Sequence, residues 1–336
     1  MDDEKEKLRG VLLGLAYFIF KRFSYMALTF FIVIVINFLI INLAPGDPIR
    51  FIAGELTYAS PDFVNYLRAK WGLDRPLYER LFSYILNIAH GDLGYSYRYL
   101  QPVSTLILER LPLTFLLTLT SNLAAFIIGL ILGIFSAMRF GSRFDFFLSF
   151  SNTILWSTPS FVLGIILMFV LGVRAKLFPV SGLMDLRNPK EGVFLYLDII
   201  YHSFLPILTL TLVLLPLYYK VVRDSVIQQS TEEYIMALRA VGFSDTQIYW
   251  KHVLRNAILP PLTVFMLHLG YSIAGAVFVE IIFGWPGMGR LLLDSILTRD
   301  YPTIMGIYVV ISLTIIVVNF VTDLLYSIFD PRVKLR

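Results

Sequence analysis

Between two long apolar stretches the chain reads Ser230-Thr231-Glu232-Glu233-Tyr234-Ile235-Met236-Ala237-Leu238-Arg239-Ala240-Val241-Gly242-Phe243-Ser244. It continues through Ile248 and His252-Val253-Leu254-Arg255-Asn256-Ala257 to Pro260. The spacing predicts two short helices joined at a glycine. Ser230 with Glu233, and Ser244 with Gln247, stand three apart, as in a capping box, where side chains and backbone amides satisfy one another at a helix start. Gly242 falls between them, where a left-handed C-terminal cap strains any residue carrying a Cβ. The first helix offers Tyr234, Ala237, Leu238 and Val241 as an apolar face, and Ala237 and Ala240 are small enough for close approach. Two readings fit: a plug that docks into another protein, or a solvated loop helix.

The surroundings are lipid-like. Apolar residues make up 57% of the 336 and charged residues 15%, against about a quarter charged in a soluble domain. Six stretches are long and apolar enough to cross about 30 Å of hydrocarbon as helices: roughly 23–44, 112–137, 146–172, 203–222, 259–283 and 303–328. Pro159, Pro206 and Pro216 are expected to interrupt them. Gly129 and Gly133 form a small-residue face for packing within the bundle or against a partner subunit. An even number of spans puts both termini on one side. Lys21, Arg22, Arg139, Arg143, Lys220, Arg223, Arg239, Lys251, Arg255 and Arg332 fall in the segments 1–22, 138–145, 220–258 and 329–336, so these face the cytoplasm. The apolar run Val11–Phe20 is too short to span and reads as an interfacial elbow helix. The stretch 45–111 is too long for a connector. One helix is expected there from Ser60-Pro61-Asp62 to Gly72, and another from Asp74 and Pro76 to Gly91. That stretch is either a cap on the bundle or a contact surface for a delivering protein.

Several chemistries are excluded. The chain has no cysteine, hence no disulfide, thiol nucleophile or Cys-based metal site. Its four histidines show no metal-ligand spacing, and the net charge of +4 is too scattered for nucleic acid. There is no G-x-x-x-x-G-K-[ST] phosphate loop, G-x-S-x-G elbow or H-E-x-x-H pair. Glu280, His268 and Asn319 are polar residues on apolar helices, which mark them as candidates for a translocation path or partner contact. Each has a structural alternative. For Glu280 this is pairing with Arg290 or a neighbouring helix, and for His268 and Asn319 interhelical hydrogen bonds. Asp323, near the end of the sixth stretch, reads as structurally paired.

The pattern E-Y-x-x-x-x-R-A-x-G-x-S from Glu233 to Ser244, then I-x-x-x-H-x-L-R-N-A-x-x-P from Ile248 to Pro260, resembles the coupling-helix motif of ABC importer permeases. Further motifs follow in order: Pro45-Gly46-Asp47-Pro48, Gly91-Asp92-Leu93-Gly94-Tyr95-Ser96, Pro102-Val103, Arg110-Leu111-Pro112, Glu280-Ile281-Ile282-Phe283, Pro286-Gly287-Met288-Gly289, Arg299-Asp300-Tyr301-Pro302 and Asp330-Pro331-Arg332. Together they resemble the B-type permease of the dipeptide/oligopeptide transporter family from about residue 20 onward. The resemblance implies an all-α polytopic membrane protein of six spans, the type I ABC importer permease fold. Its parts would be an elbow helix (1–22), a first span (23–44), an external segment (45–111), a core (112–328) holding coupling helices at 231–254, and a cytoplasmic tail (329–336). It implies a second permease subunit, two ATPase subunits that bind ATP and Mg, an external substrate-binding protein and a lipid bilayer. It assigns ATPase coupling to Glu233, Tyr234, Ala237, Arg239, Ala240, Gly242, Ser244, His252 and Arg255, with no catalytic residue and no cofactor on this chain. The cargo would be di- or oligopeptides, with oligosaccharides or nickel complexes as alternatives within the family. An ion-coupled secondary transporter stands as the competing class, but Glu280 and Asp323 lie near the surfaces rather than at the midplane.

Overall fold

Apolar runs longer than a soluble core can cover become helices whose outer faces stay uncovered. The computed structural model describes residues 2–43, 62, 65–66, 69 and 72–329, with 2–20, 270–275 and 323–329 described by backbone alone. Most of the helix expected between Ser60 and Gly72 lies outside the described residues, as do Pro45–Pro48, Asp330-Pro331-Arg332 and the side chain of Asp323. The described elements are helices, apart from an isolated antiparallel bridge between Tyr95 and Pro102. Among the described residues, four helices are long and apolar enough to cross a membrane: Lys21–Leu43, Val103–Met138, Val193–Ser230 and Tyr301–Thr322. A bent pair, Arg143–Ser157 with Ser160–Arg174, makes a fifth when counted as one span. Large apolar side chains such as Ile40, Phe146 and Ile200 are exposed on these helices, the arrangement expected where lipid is the solvent.

The chain divides into two compact units, Met1–Glu109 with Leu291–Arg336, and Arg110–Arg290. In the first, α1 (Asp2–Leu43) runs without a break, so the boundary expected at Lys21-Arg22 leaves no mark on its secondary structure. The helix expected after Pro76 is present as α2 (Leu77–Ala89), stopped by Gly91 at φ +78°. The Phe38 and Tyr84 rings, 5.6 Å apart, hold α2 to α1. Asn37 Nδ2 donates to the Met305 carbonyl at 3.1 Å, tying α1 to the long C-terminal helix (Tyr301–Phe329).

In the second unit, α3 (Val103–Met138) crosses α6 (Val193–Ser230) at the small-residue face. A Cβ at Gly129 would meet Tyr218 at 2.6 Å, and one at Gly133 would meet Val222 at 2.7 Å. That face is therefore used inside the chain. The stretch expected at 146–172 is split into α4 (Arg143–Ser157) and α5 (Ser160–Leu167), bent by 104°. Thr158 precedes Pro159 and is extended, as steric clash with the proline ring requires. Pro206 and Pro216 behave differently. Contrary to expectation, α6 runs through both without a break. The knob comprises α7 (Glu233–Ala240), α8 (Asp245–Gln247), a π-helical stretch (Ile248–Val253) and α9 (Leu254–Ala257). The stretch expected at 259–283 is α10 (Leu259–Gly275) and α11 (Val277–Ile282), separated at Ala276. The chain then returns to the first unit with α12 (Met288–Leu297) and α13 (Tyr301–Phe329).

Candidate coupling site

The knob is rooted before it is exposed. Ile235, 1% exposed, enters a cluster with Ile248, Tyr249, Val253 and Ala257. Ile134 and Ala137 of α3 and Val222 and Val226 of α6 complete that cluster, with Leu238, Trp250 and Leu254 at its margin. Burying each such branched side chain is worth about 1.5–3 kcal/mol, so the knob moves with the ends of α3 and α6.

The buried face of α7 is therefore not the one read from the sequence. Ile235 makes the inward contact, with Leu238 partly buried beside it. Tyr234, Ala237 and Val241 stay exposed, and Val241 is 78% exposed. Met236 (76%) and Phe243 extend this apolar crest. A short amphipathic helix can be seated at neighbouring rotations, and the cluster from α3 and α6 decides which one is used.

The caps are split as well. Ser230 is the last residue of α6 and its hydroxyl donates to the Ile227 carbonyl at 2.7 Å. The α7 cap is Glu232, with no side-chain hydrogen bond. The second capping box is present in full between Ser244 and Gln247. Gly242 has φ +95° with open space around it, so backbone conformation alone demands glycine there. Its amide donates to Arg239 O at 3.0 Å, and the Phe243 amide to Leu238 O at 3.2 Å.

The other expected coupling residues lie on or beside this crest. Glu233 opens α7 on its exposed side and Ala240 closes it. Arg239 Nε lies 3.4 Å from Asp245 Oδ1, linking α7 to α8 across solvent. Tyr234 Oη accepts from Asn256 Nδ2 at 3.1 Å. The His252 ring meets Phe243 edge-on at 5.6 Å, and its Nε2 is buried without a hydrogen-bond partner. Arg255 is exposed in the last turn of α9.

A polar brace that the sequence reading missed sits behind the root. Arg223 of α6 grips Asp145 of α4 with Nε and Nη2, each at 2.8 Å. Asp145 also accepts from Ser136 Oγ at 2.5 Å and from the Gly141 amide at 3.0 Å. Ser136 and Ser149 both meet the Tyr219 hydroxyl, at 2.7 and 2.9 Å. The available signal was Ser142-x-x-Asp145, a helix-start pattern, and Ser142 Oγ does accept from the Asp145 amide at 3.2 Å.

The candidate path residues have separate surroundings. Glu280 is fully buried. Thr114 Oγ1 donates to its Oε1 at 2.7 Å and the Arg290 amide to its Oε2 at 2.9 Å. A Cβ on Gly287 would collide with the carboxylate, and one on Gly289 would collide with Val277 beside it. Arg290 thus satisfies the acid with its backbone, while its guanidinium donates to Gly284 O at 3.1 Å. His268 is partly buried with its ring 6.2 Å from that of Tyr218. Asn319 lines a cavity of about 220 Å³ with Arg22, Thr29 and Phe320. Two motifs far apart in sequence do meet. Asp300 accepts from Ser96 Oγ at 2.5 Å, the Tyr97 amide at 3.0 Å and Thr303 Oγ1 at 2.7 Å.

Apolar helices with uncovered outer faces and a braced helical knob define a polytopic helical membrane protein. Residues 129–335 match the binding-protein-dependent transport system inner membrane component, and residues 15–118 match the N-terminal region of such membrane components. The chain belongs to the family of binding-protein-dependent transport system inner membrane components, multi-pass proteins of transport rather than catalysis. It is 35% identical over 331 residues to the di/tripeptide transport system permease protein DppB of Pseudomonas aeruginosa, covering 94% of this chain and 98% of that protein. It is 36% identical over 301 residues to the oligopeptide transport system permease protein AppB of Bacillus subtilis, covering 89% and 93%. It is 35% identical over 322 residues to the glutathione transport system permease protein GsiC of Escherichia coli, covering 95% and 99%. The resemblance carried by the motifs is thereby established.

Proposed function

We propose that this chain is one of two permease subunits of an ATP-driven importer for di- and oligopeptides, and that its 231–254 knob receives the motion of the ATPases. The observation that carries this reading is the pairing of an apolar crest, Met236, Ala237, Val241 and Phe243, with a root buried among α3 and α6. Exposed apolar side chains on a firmly seated element mark a protein-binding surface. In this reading Glu233, Tyr234, Ala237, Arg239, Ala240, Gly242, Ser244, His252 and Arg255 meet an ATPase subunit that binds ATP and Mg. The bent pair and the 259–283 pair each count as one span, which gives six with both termini cytoplasmic. The segment 45–111 then faces an external binding protein that delivers cargo. ATPase closure pushes the knob, and rigid helices convert the push into alternating access by rocking. Glu280 serves as a latch on the Trp285–Arg290 turn, which leaves His268 and Asn319 as the candidates for the path. The peptide cargo is favoured by the names of the relatives. Glutathione, itself a tripeptide, falls within the same class.

The test is uptake of receptor-bound peptide by the whole transporter in vesicles. Gly242→Pro removes the amide bonded to Arg239 and forbids φ +95°, so uptake falls to background while peptide affinity of the receptor is unchanged. Uptake at the unsubstituted rate overturns the coupling assignment. Uptake by the isolated chain under an ion gradient would establish the secondary-transporter class instead.

A further inference from the structure

A cavity of about 640 Å³ lies between α4 and α6, within the roughly 300–1,000 Å³ typical of small-molecule sites. Its α4 wall is a polar face. Ser149, Asn152, Thr153 and Trp156 recur at helical spacing, which puts them on one side. Phe146, Phe147, Phe150 and Ile154 occupy the rest of that helix and are exposed. A membrane helix with an aromatic outer face and a hydroxyl- and amide-bearing inner face is arranged around something polar.

Two groups in the wall lack partners. Asn152 is 6% exposed, and its Nδ2 donates to Leu148 O at 2.9 Å, but its Oδ1 is buried with no hydrogen-bond partner. An orphaned acceptor of this kind costs about 1–3 kcal/mol unless a donor arrives. On the α6 wall, Lys220 is exposed and has no ion pair among the described residues, and Asp224 follows one turn later. Asp224 is held only loosely by Arg223, at 3.5 Å. The cavity thus offers a free acceptor, a free cation and a nearby carboxylate, with Trp156 beside them. That set complements a short zwitterionic chain with amide N–H donors and a terminal carboxylate.

We propose that the α4–α6 cavity is a subsite of the translocation path that holds the passing peptide, with Asn152 accepting from a peptide N–H and Lys220 taking its C-terminal carboxylate. This deepens the proposed import function and rests on it. The absence of native cysteine permits a direct test on the assembled transporter in nanodiscs, read on this chain's own band. Thr153→Cys reacts with a charged maleimide, and a transported tripeptide slows that reaction. Phe147→Cys, on the lipid side, does not react. Asn152→Leu lowers tripeptide uptake by about tenfold, the loss of one good hydrogen bond, while receptor-stimulated ATP turnover persists. Lys220→Gln lowers uptake of free-acid tripeptide but not of its C-terminal amide. Labelling of Thr153→Cys that is indifferent to peptide, in a transporter that moves the peptide, overturns the subsite alone. Protection by an anionic phospholipid in place of peptide also overturns it and makes the cavity a lipid site. If the unsubstituted transporter moves no peptide, the import reading falls and takes the subsite with it.

Discussion

Two glycine-bearing segments of the second unit end in opposite states. The Trp285–Arg290 turn buries Trp285 and Gly287 through Gly289 and leaves only Arg290 exposed. Trp285 is fully buried with its Nε1 donating to Leu113 O at 3.1 Å, and Glu280 beneath it has both oxygens occupied. The 233–257 knob buries Ile235 and leaves its neighbour Met236 almost bare. A closed segment of the first kind braces the fold. An open one of the second kind leaves apolar surface uncovered, as the proposed docking of another chain requires.

That contrast can be broken at chosen positions. The largest effect is expected at the turn. Gly287→Val drives a branched side chain into the Glu280 carboxylate, and the loss of stability should exceed about 4 kcal/mol, the range reserved for disrupted buried charge. Thermal unfolding of the purified complex measures it, and near-normal stability would mean that the turn is not a latch. At the root of the knob, Ile235→Ala should cost about 2 kcal/mol through the cavity it leaves. It should also weaken coupling, because the lever loses its seat. The smallest effect belongs to Arg239→Ala, since an exposed pair such as Arg239–Asp245 contributes at most about 1 kcal/mol. An unfolding temperature indistinguishable from that of the unsubstituted chain is expected there.

The fold was legible where local chemistry decides the outcome. Gly242, the Ser244–Gln247 box and the helix between Pro76 and Gly91 all follow from short-range rules, and the structure keeps them. The misread positions are those where distant groups compete. Ser230 suits a helix start, but the preceding helix runs on and takes it as its last residue. Which face of α7 goes inward depends on Val222 and Val226, residues that no spacing within 233–241 reveals. Pro206 and Pro216 look like Pro159 in sequence. Only at Pro159 does the preceding residue swing to the extended region. The Asp145–Arg223 and Ser96–Asp300 pairs join residues far apart in sequence, so no local spacing reveals either pairing. Glu280 stood out as a costly carboxylate, and its solution, a hydroxyl and a backbone amide rather than a guanidinium, needed coordinates.

The lever hypothesis is tested most directly by isolating the complex through a tag on this chain after Met236→Asp and Val241→Asp are introduced together. Both positions are solvent-facing, so folding and pairing with the second permease should survive. The ATPase subunits should be missing from the isolated particle. If they remain in their usual proportion, the crest is not where the motor attaches.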